Sequence, residues 1–148
     1  MKIVLRVNEA PVELDVEPGV MLLEVLRDRL GLFGARGTCG VGLCGACTVL
    51  LDGQPVSSCI LLAPLAEGQA LTTIEGVPDD DPVVRAFHRH HAFQCGYCTP
   101  GMVLTGKAFL SDCGPGPSRA RIAEAFGGNL CRCGCYVKII DAIQEAGS

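Results

Sequence analysis

The chain has 148 residues, 49% of them hydrophobic and 19% charged, which excludes a disordered polymer and allows one domain or two small ones. A net charge of −4 and a pI near 5.3 argue against a nucleic-acid partner. The nearest basic cluster, Arg119–Arg121, reads as the solvated face of a helix.

Residues 2–7 and 12–16 alternate as strands about the turn Asn8-Glu9-Ala10-Pro11. Pro18-Gly19 breaks the pattern, and Met21, Leu22, Val25, Leu26 and Leu30 then share one helical face, which Gly31 ends. A glycine-rich loop, Gly34 to Cys47, carries three cysteines. Thr48–Leu51 and Pro55–Cys59 flank Asp52-Gly53, a hairpin signal, and Leu71–Ile74 reads as a last short strand. The turn-rich segment Glu75–Pro82 divides the chain into expected domains at 1–76 and 77–148.

Beyond that boundary only helices are expected. One starts at Val83 and runs toward Phe93; a second follows Thr99-Pro100, read as an N-cap and a first-turn proline. Ser118 caps a third, stopped by Gly127-Gly128-Asn129, and Val137, Ile140 and Ile143 mark a fourth, so the half reads as a small helical bundle. No internal repeat is found. No signal-peptide core or membrane-length apolar run is apparent, so a soluble cytoplasmic protein with reduced thiols is expected.

Eight of the ten cysteines form two quartets. Cys39-x4-Cys44-x2-Cys47, closed by Cys59 beyond the hairpin, has the plant-type [2Fe–2S] spacing. Four thiolates hold the irons, and Gly37, Gly40, Gly42 and Gly45 let backbone N–H groups wrap an anionic cluster. Gly40–Gly45 also matches G-x-G-x-x-G, but interleaved cysteines and a following hairpin exclude a dinucleotide site. The second quartet, Cys95-x2-Cys98 and Cys131-x-Cys133, fits iron–sulfur or zinc. Each of its pairs lies near a predicted helix N-terminus, whose dipole favours thiolate.

Cys39–Cys47 reads C-G-V-G-L-C-G-A-C, residues 94–101 read Q-C-G-Y-C-T-P-G, and residues 128–133 read G-N-L-C-R-C. In this order they resemble the iron–sulfur subunit of the molybdenum hydroxylases, the xanthine dehydrogenase, aldehyde oxidase and carbon monoxide dehydrogenase family, over nearly the whole chain. The resemblance implies an α+β chain: an N-terminal β-grasp, plant-type ferredoxin-like domain and a C-terminal four-helix bundle, each with one [2Fe–2S] cluster. It implies a large molybdopterin-binding subunit beside the second cluster, a medium FAD subunit beside the first, and a dimer of such heterotrimers. The pterin is expected in a dinucleotide form. Gln94 is the position that contacts the pterin. Single electrons would pass from molybdenum through both clusters to the flavin, with substrate chemistry on a partner and no catalytic residue here. A free-standing two-cluster carrier is the alternative.

The family usually continues C-R-C with Thr-Gly-Tyr, whereas Gly134-Cys135-Tyr136 stands here, so Cys135 competes as a ligand; Cys131 and Cys133 match the motif and are retained. Thr38 replaces the usual glycine and reads as solvent-facing. Cys113 reads as a spare thiol, and Ser57 and Ser58 as strand residues. His88 and His91 could share a helical face and bind a metal, but no third ligand is apparent.

Overall fold

The computed structural model describes residues 1–148. β1 (Lys2–Val7) and β2 (Ala10–Asp15) pair antiparallel from Val7↔Ala10 to Lys2↔Asp15. Asn8 and Glu9 make the tight turn with φ of 49° and 70°. Alternation in β1 turns Ile3, Leu5 and Val7 inward. α1 (Leu22–Glu24) continues as a π-helical turn, Val25–Arg29, and buries Leu22, Val25 and Leu26 against the sheet. β3 (Thr48–Leu51) and β4 (Gln54–Ser57) form the expected hairpin, with Asp52 and Gly53 both at positive φ. Pro55 is tolerated because β4 is an edge strand.

β5 (Ala70–Thr72) enters the middle of the sheet, giving the order β2-β1-β5-β3-β4. It runs parallel to β1 and antiparallel to β3. This mixed five-stranded sheet with one crossing helix is the ferredoxin-like arrangement. Its core holds Ile3, Leu5, Leu22, Leu26, Val49 and Leu71, each worth about 1.5–3 kcal/mol when fully buried.

Four helices follow: α2 (Pro82–Arg89), α3 (Thr99–Cys113), α4 (Arg119–Ala125) and α5 (Tyr136–Ala146). They enclose a second core built on Phe87, Met102, Ile122, Phe126, Ile139 and Ile143. Asp81 caps α2 by accepting from the Val83 amide at 2.9 Å, and its other oxygen pairs with Lys107 of α3. A small third cluster, Leu50, Leu104 and Ala108, glues β3 to α3. No helix is long and apolar enough to cross a membrane.

Several local expectations need correction. α2 ends at Arg89, and His91 takes φ 48°, so His88 and His91 do not share a helical face. His88 instead packs edge-on to Phe93, with ring centroids 5.9 Å apart. Cys98, not Thr99, caps α3; Thr99 is its first residue, with a buried hydroxyl that has no hydrogen-bond partner. α5 buries Ile139, Ala142 and Ile143, while Val137 is 65% exposed.

Candidate metal centres and the seam between them

The loop before β3 curls around Cys39. Gly40, Gly42 and Gly45 adopt φ of 68°, 74° and 71°, which turns the intervening amides toward the thiol. Val41 N–H donates to Cys39 Sγ at 3.5 Å and Leu43 N–H at 3.4 Å. The amides of Val41, Cys44 and Leu43 lower the Cys39 pKa to about 6. Cys44, Cys47 and Cys59 are buried. Burial, reinforced by the neighbouring Cys47 thiol, pushes Cys59 up to about 11. The thiols of the first quartet act on one another: Cys39 bonds with Cys44 and Cys59 with Cys47, and Cys59 also feels the charge of Cys39. Ser58 is fully buried rather than an ordinary strand residue, and its hydroxyl donates to the Cys47 carbonyl at 2.7 Å.

The second quartet assembles from two loops. Cys95 interacts with Cys133 and Cys131, and Cys98 with Cys131 and Cys95. Tyr97 N–H donates to Cys95 Sγ at 3.5 Å, and that bond is the largest cause lowering the Cys95 pKa. Cys98 behaves oppositely. It caps α3, where the dipole favours thiolate, yet burial and the thiol of Cys131 push it up to about 12. Desolvation thus outweighs a dipole term of about 0.3–1 kcal/mol, and bound metal would have to ionise this thiol.

Cys135 touches the site without matching the ligand pattern. Its backbone N–H donates to Cys131 Sγ at 3.4 Å. Burial raises the Cys131 pKa, but this amide and the Cys98 thiol win and the net shift is downward. Burial and the Cys131 thiol raise the Cys135 pKa. Gln94 is exposed and lines a cavity of about 340 Å³ with Phe93, Cys133, Cys135 and Lys138. Cys113 lies apart at the end of α3, its thiol bonded to the Gly114 carbonyl at 3.1 Å.

The quartets meet across a short seam. Leu130 N–H, next to Cys131, donates to the Cys44 carbonyl at 2.9 Å. Asn129 is buried there, its amide reaching the Gly45 carbonyl at 3.3 Å while accepting from the Thr105 hydroxyl at 3.2 Å. A cavity of about 460 Å³ opens along the seam, walled by Cys44 of one quartet and Cys95, Cys98 and Cys131 of the other. Thr38 lines this cavity and is exposed. Arg36 and Tyr97 clasp the two loops together: the guanidinium lies 5.2 Å from the ring centroid, and the phenol donates to the Gly37 carbonyl at 2.8 Å. Sequence reasoning gives Arg36 and Tyr97 no role, reads Ser58 as a strand residue and Asn129 as a helix stop; the available sign is their place within two residues of a cysteine or inside a ligand loop.

Two thiol quartets with N–H donors aimed at their sulfurs have the soft, anionic character that iron–sulfur clusters require. The comparisons agree. Residues 5–73 match the "2Fe-2S iron-sulfur cluster binding domain" family and residues 73–144 the "[2Fe-2S] binding domain" family. The chain is 43% identical to the nicotinate dehydrogenase small FeS subunit of Eubacterium barkeri, covering 96% of this chain and 92% of that protein. It is 39% identical to the aldehyde oxidoreductase iron–sulfur-binding subunit of Escherichia coli, covering 99% and 71%. Among solved structures it superposes on quinoline 2-oxidoreductase from Pseudomonas putida 86 with TM-score 0.93 and 43% identity, over 98% of this chain and 91% of that one. It also matches the aldehyde oxidoreductase of Desulfovibrio gigas, with TM-score 0.92 and 37% identity, over 99% of this chain but 17% of that one. With two [2Fe–2S]-binding domains in one electron-transfer chain, the protein belongs to the iron–sulfur subunits of the molybdenum hydroxylase family.

Proposed function

We propose that Cys39, Cys44, Cys47 and Cys59 hold one [2Fe–2S] cluster, and that Cys95, Cys98, Cys131 and Cys133 hold the other. When bound, each cluster supplies one-electron redox chemistry. The domain division falls at 1–76 and 77–148, with the second part a four-helix bundle. What carries the reading is the direct abutment of the two quartets, through the Leu130 amide on the Cys44 carbonyl and the cavity they share. The chain's own work is to fix two soft-ligand sites in series and aim N–H donors at their sulfurs.

Gln94 faces the pterin of a large molybdopterin-binding subunit, the pterin being in a dinucleotide form. Its amide both donates and accepts, and it borders an open cavity beside Cys133, which supports that role. The loop of the first quartet faces a medium FAD subunit. Val41, Leu43 and Ile60 there are 60%, 70% and 57% exposed, an apolar rim suited to a partner. The complex is a dimer of heterotrimers in the cytoplasm. Which substrate the large subunit takes lies outside this chain.

Co-expression with molybdopterin-binding and FAD-binding partners tests the reading. The expected complex contains about four irons per copy of this chain, as two [2Fe–2S] clusters, and two distinguishable EPR signals on reduction. Zinc in place of iron would overturn the cluster assignment. A stable, fully loaded monomer that ignores both partners would favour the free-standing carrier.

A further inference from the structure

Arg132 lines the cavity between the quartets, and a second cation, Arg36, ties their loops together. Arg36 belongs to the first loop, three residues before Cys39, and its backbone amide donates to the Ala46 carbonyl at 3.1 Å, between Cys44 and Cys47. Its side chain crosses to the other loop. There Nη1 donates to the Gly96 carbonyl at 2.6 Å and to the Tyr97 carbonyl at 2.9 Å. The Gly96 carbonyl and the Tyr97 N–H are two ends of one peptide group, and that N–H donates to Cys95 Sγ at 3.5 Å. The chain of contacts is therefore guanidinium, peptide, ligand sulfur.

We propose that Arg36 is a positioning residue that raises the reduction potential of the second cluster by polarising the Gly96–Tyr97 peptide against Cys95, and does so only while the two halves of the chain are seated together. Guanidinium keeps its charge at any working pH, and a hydrogen-bond chain strengthens when its far end is held by a cation. Reduction adds negative charge to a cluster, and donors on its sulfurs favour that state. Because Arg36 is anchored in the first loop, a half that swings away takes the cation with it. Lysine would keep a charge but lose the planar stack on Tyr97 that holds the donor in place.

The inference rests on the iron–sulfur reading, and its test separates the two. EPR-monitored redox titration of the assembled complex follows both clusters in one sample, the first serving as internal reference. In Arg36→Gln, with about four irons per chain retained, the reduced-to-oxidised ratio of the second cluster at a fixed potential falls about tenfold while that of the first holds, equivalent to about 59 mV for one electron. Arg36→Lys falls part of the way. Tyr97→Phe removes the phenol strap to Gly37 but leaves the peptide in place, and keeps the wild-type ratio. An unchanged ratio in fully loaded Arg36→Gln overturns the proposal, as does an equal shift of both clusters or a Tyr97→Phe shift as large. Should Arg36→Gln lose iron, an unchanged ratio in loaded Arg36→Lys overturns it instead. Absence of a second [2Fe–2S] signal in the wild-type complex would sink the iron–sulfur reading itself.

Discussion

Asn129→Ala should open the seam between the quartets. Truncation removes three polar contacts: to the Gly45 carbonyl at 3.3 Å, the Thr48 hydroxyl at 3.5 Å and the Thr105 hydroxyl at 3.2 Å. The Gly45 carbonyl is not orphaned, because the Thr48 amide still donates to it at 3.2 Å and the Thr48 hydroxyl at 2.7 Å. The Thr105 hydroxyl is different: it is buried and loses its acceptor, which costs about 1–3 kcal/mol. With the small cavity added, we expect a local loss of about 2–3 kcal/mol. The assay is hydrogen exchange with mass spectrometry on the peptides holding Leu130 and Thr48, whose amides close the seam. At about 1.4 kcal/mol per tenfold, exchange there should quicken about 30- to 150-fold. Thr105→Val supplies the cycle. In its background there is no hydroxyl to strand, so Asn129→Ala should cost less by about 1 kcal/mol or more. Exchange within twofold of wild type, or additivity within about 0.5 kcal/mol, would refute the reasoning; Thr105 would then have found a carbonyl in its own helix.

Cys135→Ala should keep about four irons per chain, because alanine keeps the backbone amide on Cys131 and only a thiol contact is lost, whereas Cys133→Ala should lose the second cluster; iron analysis with EPR decides. In the iron-free chain Cys39, at about 6, should alkylate at neutral pH well before Cys59, at about 11, or Cys98, at about 12, as mass-spectrometric labelling against pH would show. Arg89 and His90 hold Glu145 below its usual carboxylate range, tying the end of α5 to α2. A depressed folded-state pKa contributes stability that is present above the unfolded carboxylate pKa and lost as pH falls through the folded one. The melting-temperature gap between wild type and Glu145→Gln should therefore shrink as pH is lowered from neutral through about 4, and a gap constant over that range would contradict this.

Local chemistry made the cluster loops and hairpins readable. Asp52-Gly53 specifies its turn by positive φ alone, and Cys39 through Cys47 lie within one loop whose glycines announce a tight wrap. β1 shows its buried face by simple alternation. What sequence could not show depends on distant partners. Arg36 meets its carbonyls 60 and 61 residues away, and Asn129 meets Gly45 across 84. Read locally, one is a solvated arginine and the other a helix stop. The end of α2 escaped notice because His91 adopts a left-handed conformation with no glycine or proline to mark it. Val137 misled in the opposite way: it is apolar and at helical spacing, yet it faces outward. The thiol state of Cys98 depended on burial, which periodicity does not measure.

The spacing of the two quartets is set by close backbone contacts as well as by the Asn129 side chain. α3 carries Cys98 at its N-cap, and three residues on, a Cβ at Gly101 would lie 2.3 Å from the Gly45 carbonyl oxygen. A Cβ at Gly45 would in turn lie 2.5 Å from the Gly128 carbonyl oxygen. The loop of the first quartet is thus pressed, backbone to backbone, against the helix start and the loop that deliver three residues of the second, with the Asn129 side chain packed beside the contact. Long side chains change rotamer on nanosecond scales, so a gap spanned by them would fluctuate. A gap closed by glycine backbones and the Leu130–Cys44 hydrogen bond does not have that freedom. Electron transfer between two one-electron centres depends steeply on their separation, and this seam fixes that separation in the chain's most constrained atoms. Arg36 can then adjust potential without adjusting distance, because it acts from beside the seam and not from within it.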